Sequence, residues 1–175
     1  AKDGTMTAID QPGAVRGLKR LGELFVAYSL DTQVQEFFNS FRYSVLPVGI
    51  IDSNTYVLIK NGATELEGQW KLAPYLGTVQ EDGSVNRNFV ANGSGGVIFA
   101  GTKRAEEAWE FMKWWTSEET QVEYTYTLRS TYGDTYFWLP SNVDALRQAP
   151  IDQEDKEIIL DMVQQLRDVP RTPGQ

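Results

Sequence analysis

The chain has 175 residues, and neither cysteine nor histidine is among them. Without cysteine there are no disulfides, no thiolate nucleophile and no cysteine-ligated metal. That is compatible with an exported bacterial protein but specifies no compartment. The lack of histidine excludes more. A Ser-His-Asp triad, a His-ligated zinc and an imidazole general base cannot be assembled from this chain. No apolar run reaches the length of a membrane-spanning helix, and no secretory signal pattern follows Ala1. Basic residues are scarce, 16 against 24 acidic ones, for a net charge of −8. Phosphate contacts need clustered Lys and Arg, so nucleic acid is an unsuitable partner, and an anionic membrane surface is little better. The phosphate-binding pattern GxxxxGK and the dinucleotide pattern GxGxxG are both absent, and so is an acidic calcium loop.

Hydrophobic residues make up 41% and aromatic residues 12%. That is enough for a core in one domain or two small ones. The organising stretch is Asn92–Trp115. The glycine-rich turn Asn92-Gly93-Ser94-Gly95-Gly96 leads into the apolar run Val97-Ile98-Phe99-Ala100, expected to be a buried strand. Gly101-Thr102 breaks it, with Thr102 as the expected N-cap. Ala105, Ala108, Trp109, Met112 and Trp115 then mark one face of a helix. Turn, strand and amphipathic helix form half of a βαβ unit, which makes the fold class α/β.

Earlier in the chain, Asp10 and Pro12 announce a helix whose apolar face is Val15, Leu18, Leu21, Phe25 and Tyr28, expected to be core. Thr32 and Gln35 have capping-box spacing ahead of Val34, Phe37, Phe38 and Phe41. Val45–Ile51 reads as a buried strand. Asp52 or Ser53 then caps a helix running to about Asn61, with Gly62 in the left-handed C-terminal position. Gln69–Tyr75 reads as a strand, and Asp82-Gly83 as a two-residue hairpin turn. Past Trp115, Ser117 caps a helix containing Val122, Tyr126 and Leu128. The segment 129–136 reads as a loop with Gly133 as its breaker. Pro140-Ser141-Asn142-Val143-Asp144 opens a short helix to about Gln148. Asp152 caps the last one, whose face is Ile158, Ile159, Met162, Val163 and Leu166.

The residues Gly-Ser-Gly-Gly-Val-Ile-Phe and the run Ala-Trp-Glu-Phe-Met-Lys-Trp-Trp-Thr-Ser-Glu-Glu-Thr-Gln resemble the extracellular (periplasmic-type) solute-binding proteins, family 1, the carbohydrate receptors of ABC importers. Phe37–Arg42, Leu46–Ile50, Thr55-Tyr56, Glu65–Pro74, Gly77-Thr78 and Asp82–Arg87 are similar, in that order, to one branch of those receptors. The resemblance covers nearly the whole chain from about Asp10 and corresponds to the later part of a longer family member. It implies a fragment of a type II periplasmic-binding-protein fold, two lobes joined by hinge crossings. Residues 1–75 plus 138–175 belong to one lobe and 90–131 to the other, with 76–89 and 132–137 crossing between them. The residues alone give an ordinary exposed hairpin at the first crossing.

The implied function is capture of an oligosaccharide or sugar between the lobes and its delivery to a membrane permease, with no catalysis, cofactor or metal. The implied setting is extracellular, as an anchored lipoprotein, or periplasmic. The implied partners are a carbohydrate, the ABC permease and the remainder of the same protein.

The expected ligand-binding residues are Asp52, Ser53, Asn54, Tyr56, Asn92, Ser94 and Trp138. The first four follow a strand, at the edge where open α/β sheets gather ligands, and their amides and carboxylates suit vicinal hydroxyls. Their other reading is helix capping. Asn92 and Ser94 stand in a turn whose glycines admit a ligand close to the backbone, at a position that lines the cleft in the family; their other reading is a tight turn. Trp138 offers an indole face for the C–H face of a sugar, or else anchors its loop against the last helix. Two other functions stay open on the sequence. One is a carbohydrate-active enzyme or binding module with a carboxylate pair drawn from Asp52 and Asp134; the other is a plain interaction domain.

Overall fold

A computed structural model describes residues 9–29, 36–90 and 95–167. The helices are α1 (Pro12–Val26), α2 (Phe37–Arg42), α3 (Ser53–Gly62), α4 (Ala105–Trp115), α5 (Glu118–Tyr132), α6 (Val143–Gln148) and α7 (Gln153–Gln165). The strands are short: β1 (Thr78–Val79), β2 (Val85–Asn86), β3 (Phe89–Val90) and β4 (Leu166–Arg167). β1 pairs antiparallel with β2, and β3 pairs in parallel with β4, Phe89 opposite Leu166. A parallel pair joining positions so far apart in sequence, with helices between them, fits the α/β class.

The core lies among α3, α5, α6 and α7. Tyr56, Ile59, Ala63, Ala145, Leu146 and Ala149 are its buried apolar members, each 3% exposed or less. Acceptors at the N-termini set where these helices begin. Asp52 caps α3, Ser117 caps α5, Asn142 caps α6 and Asp152 caps α7, each taking a hydrogen bond from a first-turn N–H that has no partner within the helix. Glu36 does the same for α2 through Phe38 and Asn39. The Thr32/Gln35 capping box lies outside the described residues.

Several expectations are corrected. α1 begins with Pro12 in its first turn, but Gln11, not Asp10, is the N-cap and offers no side-chain bond. Its apolar face is not core: Leu18 is 66% exposed, Leu21 52% and Phe25 43%. Periodicity fixes which side of a helix is apolar, but burial needs an opposing surface, and no described element packs broadly on α1. Val45–Ile51, Gln69–Tyr75 and Val97–Ala100 form no strand ladder. Val48 and Phe99 are 84% and 80% exposed. Gly62 is the last residue of α3, and Ala63, at φ −128°, is the C-cap.

The hairpin forms, but its tip is longer than two residues. Gly83 N–H donates to Gln80 O, Gln80 N–H donates to Ser84 O, and Gly83 takes φ +81°. That is the three-residue loop with a left-handed glycine. α4 starts at Ala105 with Arg104 as N-cap, so Thr102 sits two residues too early; its hydroxyl accepts from Arg104 N–H instead. On α4, Ala108, Met112 and Trp115 are half-buried, whereas Trp109 is 53% exposed. α5 continues through 129–132, where a loop was expected, and stops at Gly133. It also faces inward with polar residues, Thr120, Gln121 and Thr125, and leaves Tyr126 51% exposed.

Candidate ligand-binding site

Asp52, Ser53 and Asn54 form the exposed N-terminal turn of α3. Asp52 Oδ1 accepts from Thr55 N–H at 2.8 Å. That backbone hydrogen bond holds the Asp52 carboxyl below its ordinary pKa, with a further bond from the Thr55 side chain. The cap uses only part of the carboxylate's acceptor capacity, and the Ser53 and Asn54 side chains stand in solvent above it.

Tyr56 lies beneath this turn, 3% exposed. Its hydroxyl donates to Asp155 Oδ2 at 2.6 Å, which ties α3 to α7. Its ring meets Trp70 edge-on at 5.8 Å and Phe137 edge-on at 5.2 Å. Lys60 completes the cluster, its Nζ 3.3 Å from Asp155 Oδ2 and over the rings of Tyr56 and Trp70. Burial pushes the Tyr56 phenol far above its ordinary pKa, and the bond to Asp155 adds to the effect.

Trp138 follows Phe137 on the segment leading into α6. Asn61 grips that segment on one side, accepting from Phe137 N–H and donating to Phe137 O, both at 2.7 Å. The Trp138 ring is half-buried and stands perpendicular to Tyr124 at 4.9 Å, with Trp115 at 6.5 Å. It therefore packs on α4 and α5, where the anchor reading expected the last helix. α3 and the Trp138 segment meet through Tyr56, Phe137 and Asn61. Asn92 and Ser94 lie outside the described residues.

A cavity of about 250 Å³ opens at the other end of α3, with Lys60, Trp70, Arg129, Asp134, Tyr136 and Asp152 in its wall. None of Asp52, Ser53, Asn54, Tyr56 or Trp138 lines it. Arg129 there donates to Pro150 O at 2.7 Å and lies 3.9 Å from Asp134, whose side chain is 95% exposed. Among the described residues, no group of three or more acidic residues is arranged to hold a metal ion, and no helix is long and apolar enough to cross a membrane.

Nothing in the residue pattern marks Asn61, Lys60, Gln121 or Asp155 as organising residues. Each is a polar residue on a helix, where the default expectation is solvent. The one available signal was in α5, where the apolar residues do not make a clean stripe.

The family model for bacterial extracellular solute-binding proteins matches residues 48–152. No curated protein matches the chain, and no solved structure does.

Proposed function

The chain belongs to the bacterial extracellular solute-binding proteins, and we propose that its ligand is an oligosaccharide or sugar, released unchanged to a membrane permease. Membership gives the coarser role, a substrate-binding component of transport acting outside the cell or in the periplasm, in a family that is typically non-catalytic. The finer reading is a type II fold that closes two lobes on its cargo. In it, 1–75 plus 138–175 contribute to one lobe and 90–131 to the other, with 76–89 and 132–137 crossing between them. Attachment as a lipoprotein belongs to the same proposal.

The observation that carries the reading is the span of the family match, which includes both the Asp52–Asn54 turn and Trp138. In this proposal Ser53 and Asn54 meet the ligand with exposed polar groups, and Asp52 adds its spare acceptor capacity. Tyr56 has its hydroxyl engaged by Asp155, so it supports the turn from below. Trp138 supplies an apolar ring face, and Asn92 and Ser94 complete the ligand set.

A thermal-shift screen against glycans tests this. Selective binding at a hundredfold excess over Kd adds about 2.7 kcal/mol to stability. Trp138→Ala is expected to abolish the shift given by the same glycan. If no glycan raises the melting temperature while a peptide or polyamine does, the sugar reading is wrong.

A further inference from the structure

Gln121 is 1% exposed, the most deeply buried polar side chain among the described residues. Its Nε2 donates to Trp115 O at 3.1 Å and to Ser141 Oγ at 3.0 Å. Its Oε1 accepts from Asn142 N–H at 2.8 Å. Trp115 O belongs to the last turn of α4, where carbonyls lack helical partners, and Asn142 N–H to the start of α6, where amides do. One amide therefore serves two helix ends at once. Among side chains that carry no titratable group, only the shorter Asn also offers an amide donor and acceptor in that spacing.

Asn142 adds a second bond across the same seam, from Nδ2 to Thr116 O at 3.0 Å. One turn along α5 from Gln121 stands Tyr124, the ring that Trp138 meets edge-on at 4.9 Å. Trp115, whose carbonyl Gln121 holds, is the other ring against Trp138. Trp115 thus stands on the helix end that Gln121 holds and Tyr124 on Gln121's own helix, and beyond Trp138 the same side chain bonds the Ser141 hydroxyl and the Asn142 backbone N–H.

We propose that Gln121 is the positioning residue for Trp138. It sets the angle and depth of the indole on α5 and so determines how much of its face is offered to a ligand. The ring contacts alone do not fix this, since edge-on and tilted aromatic pairs tolerate a broad range of geometry. The hydrogen-bonded frame supplies the missing restraint. The ligand consequence rests on the reading of Trp138 as part of the binding surface.

The test uses the 175-residue chain labelled with 5-fluorotryptophan, the Trp138 fluorine signal being assigned with Trp138→Phe. Gln121→Met keeps the length and approximate volume and removes the side-chain bonds to Trp115 O, Ser141 Oγ and Asn142 N–H. The expected result is a displaced or broadened Trp138 signal with the Trp70 signal unmoved, because Trp70 packs separately on Phe41 and Tyr56. Gln121→Glu supplies the conservative comparison. Its protonated acid restores one donor and one acceptor, and its carboxylate faces the Trp115 carbonyl. The Trp138 signal of this variant is then expected to change between about pH 5 and pH 8, where burial moves such an acid, while the parent signal stays constant. A Trp138 signal unchanged in both variants overturns the proposal. Affinity for a glycan found in the screen is expected to fall about tenfold in Gln121→Met. If the signal moves but Trp138→Ala leaves glycan affinity intact, the positioning role stands and the ligand role of Trp138 falls.

Discussion

The Tyr56 hydroxyl donates to Asp155 Oδ2 at 2.6 Å across 99 residues of chain. With Lys60 on the same carboxylate, this bond makes α3, α7 and the Phe137 segment one body. The exposed turn above Tyr56 inherits its rigidity from that body.

Tyr56→Phe keeps the ring contacts with Trp70 and Phe137 and removes only the hydroxyl. A hydrogen bond to a charged group contributes about 1.5–3 kcal/mol, and that loss is expected in urea unfolding. The pH dependence has a definite sign. The folded phenol titrates above its unfolded value of about 10, so the contribution is complete below that pH. Above it the unfolded chain releases a proton that the folded chain keeps, and stability falls. Tyr56→Phe is expected to reduce that alkaline slope; an unchanged slope would mean that the phenol is not held protonated.

Asp52→Ala removes the cap of α3 and is expected to cost about 1 kcal/mol. Because the folded carboxyl titrates below its unfolded value of about 3.9, its charge-linked stability is present above that pH. It is lost as pH falls through the folded pKa. Asp52→Asn retains the cap without the charge, so at neutral pH it should lie between the parent and Asp52→Ala. Chemical denaturation at neutral and strongly acidic pH measures both gaps, and the gap between parent and Asp52→Asn should shrink in acid.

The caps at Asp52, Ser117 and Asp152 were legible because capping is local: the acceptor and the N–H groups it serves lie within three residues. The strands were not. Val45–Ile51 and Val97–Ala100 have strand composition, but a ladder needs a partner strand, and the identity of that partner is not written in the run itself. β3 shows the same thing from the other side. Its partner, Leu166–Arg167, was expected to be the end of a helix face. The candidate site was legible as residue types in turns, Asp52–Asn54 above all. Its support was not, because Gln121, Asn61 and Asp155 act by turning polar groups inward, against the pattern by which helix faces are read.

Two glycines offer contrasting tests. Gly133 ends α5 at φ 104° and ψ 159°, with open space around it. Only backbone strain opposes a side chain there, about 1–3 kcal/mol for this region of conformational space. Gly77 has no positive φ, but a Cβ would come within 2.4 Å of Val85 Cγ1 and 2.8 Å of the Asn86 carbonyl oxygen. Gly133→Ala is expected to lower the global melting temperature. Gly77→Ala should chiefly disturb the β1–β2 hairpin, visible as faster amide exchange at Gln80, whose N–H donates to Ser84 O across the hairpin. Equal effects on the hairpin from both variants would contradict the distinction.

The apolar side of α1 leads to the last prediction. Leu18, Leu21, Phe25 and Val26 are 66%, 52%, 43% and 86% exposed on one helix. An apolar surface of that kind is unfavourable in water and is covered by association when nothing else covers it. The 175-residue chain on its own is therefore expected to self-associate with rising concentration in light scattering. Leu18→Glu with Phe25→Ser should restore a monomer without lowering the melting temperature, since α1 contributes no buried residue. A parent chain that stays a monodisperse monomer at high concentration would show that this face is already satisfied. A double variant that unfolds would show that α1 packs against the body after all.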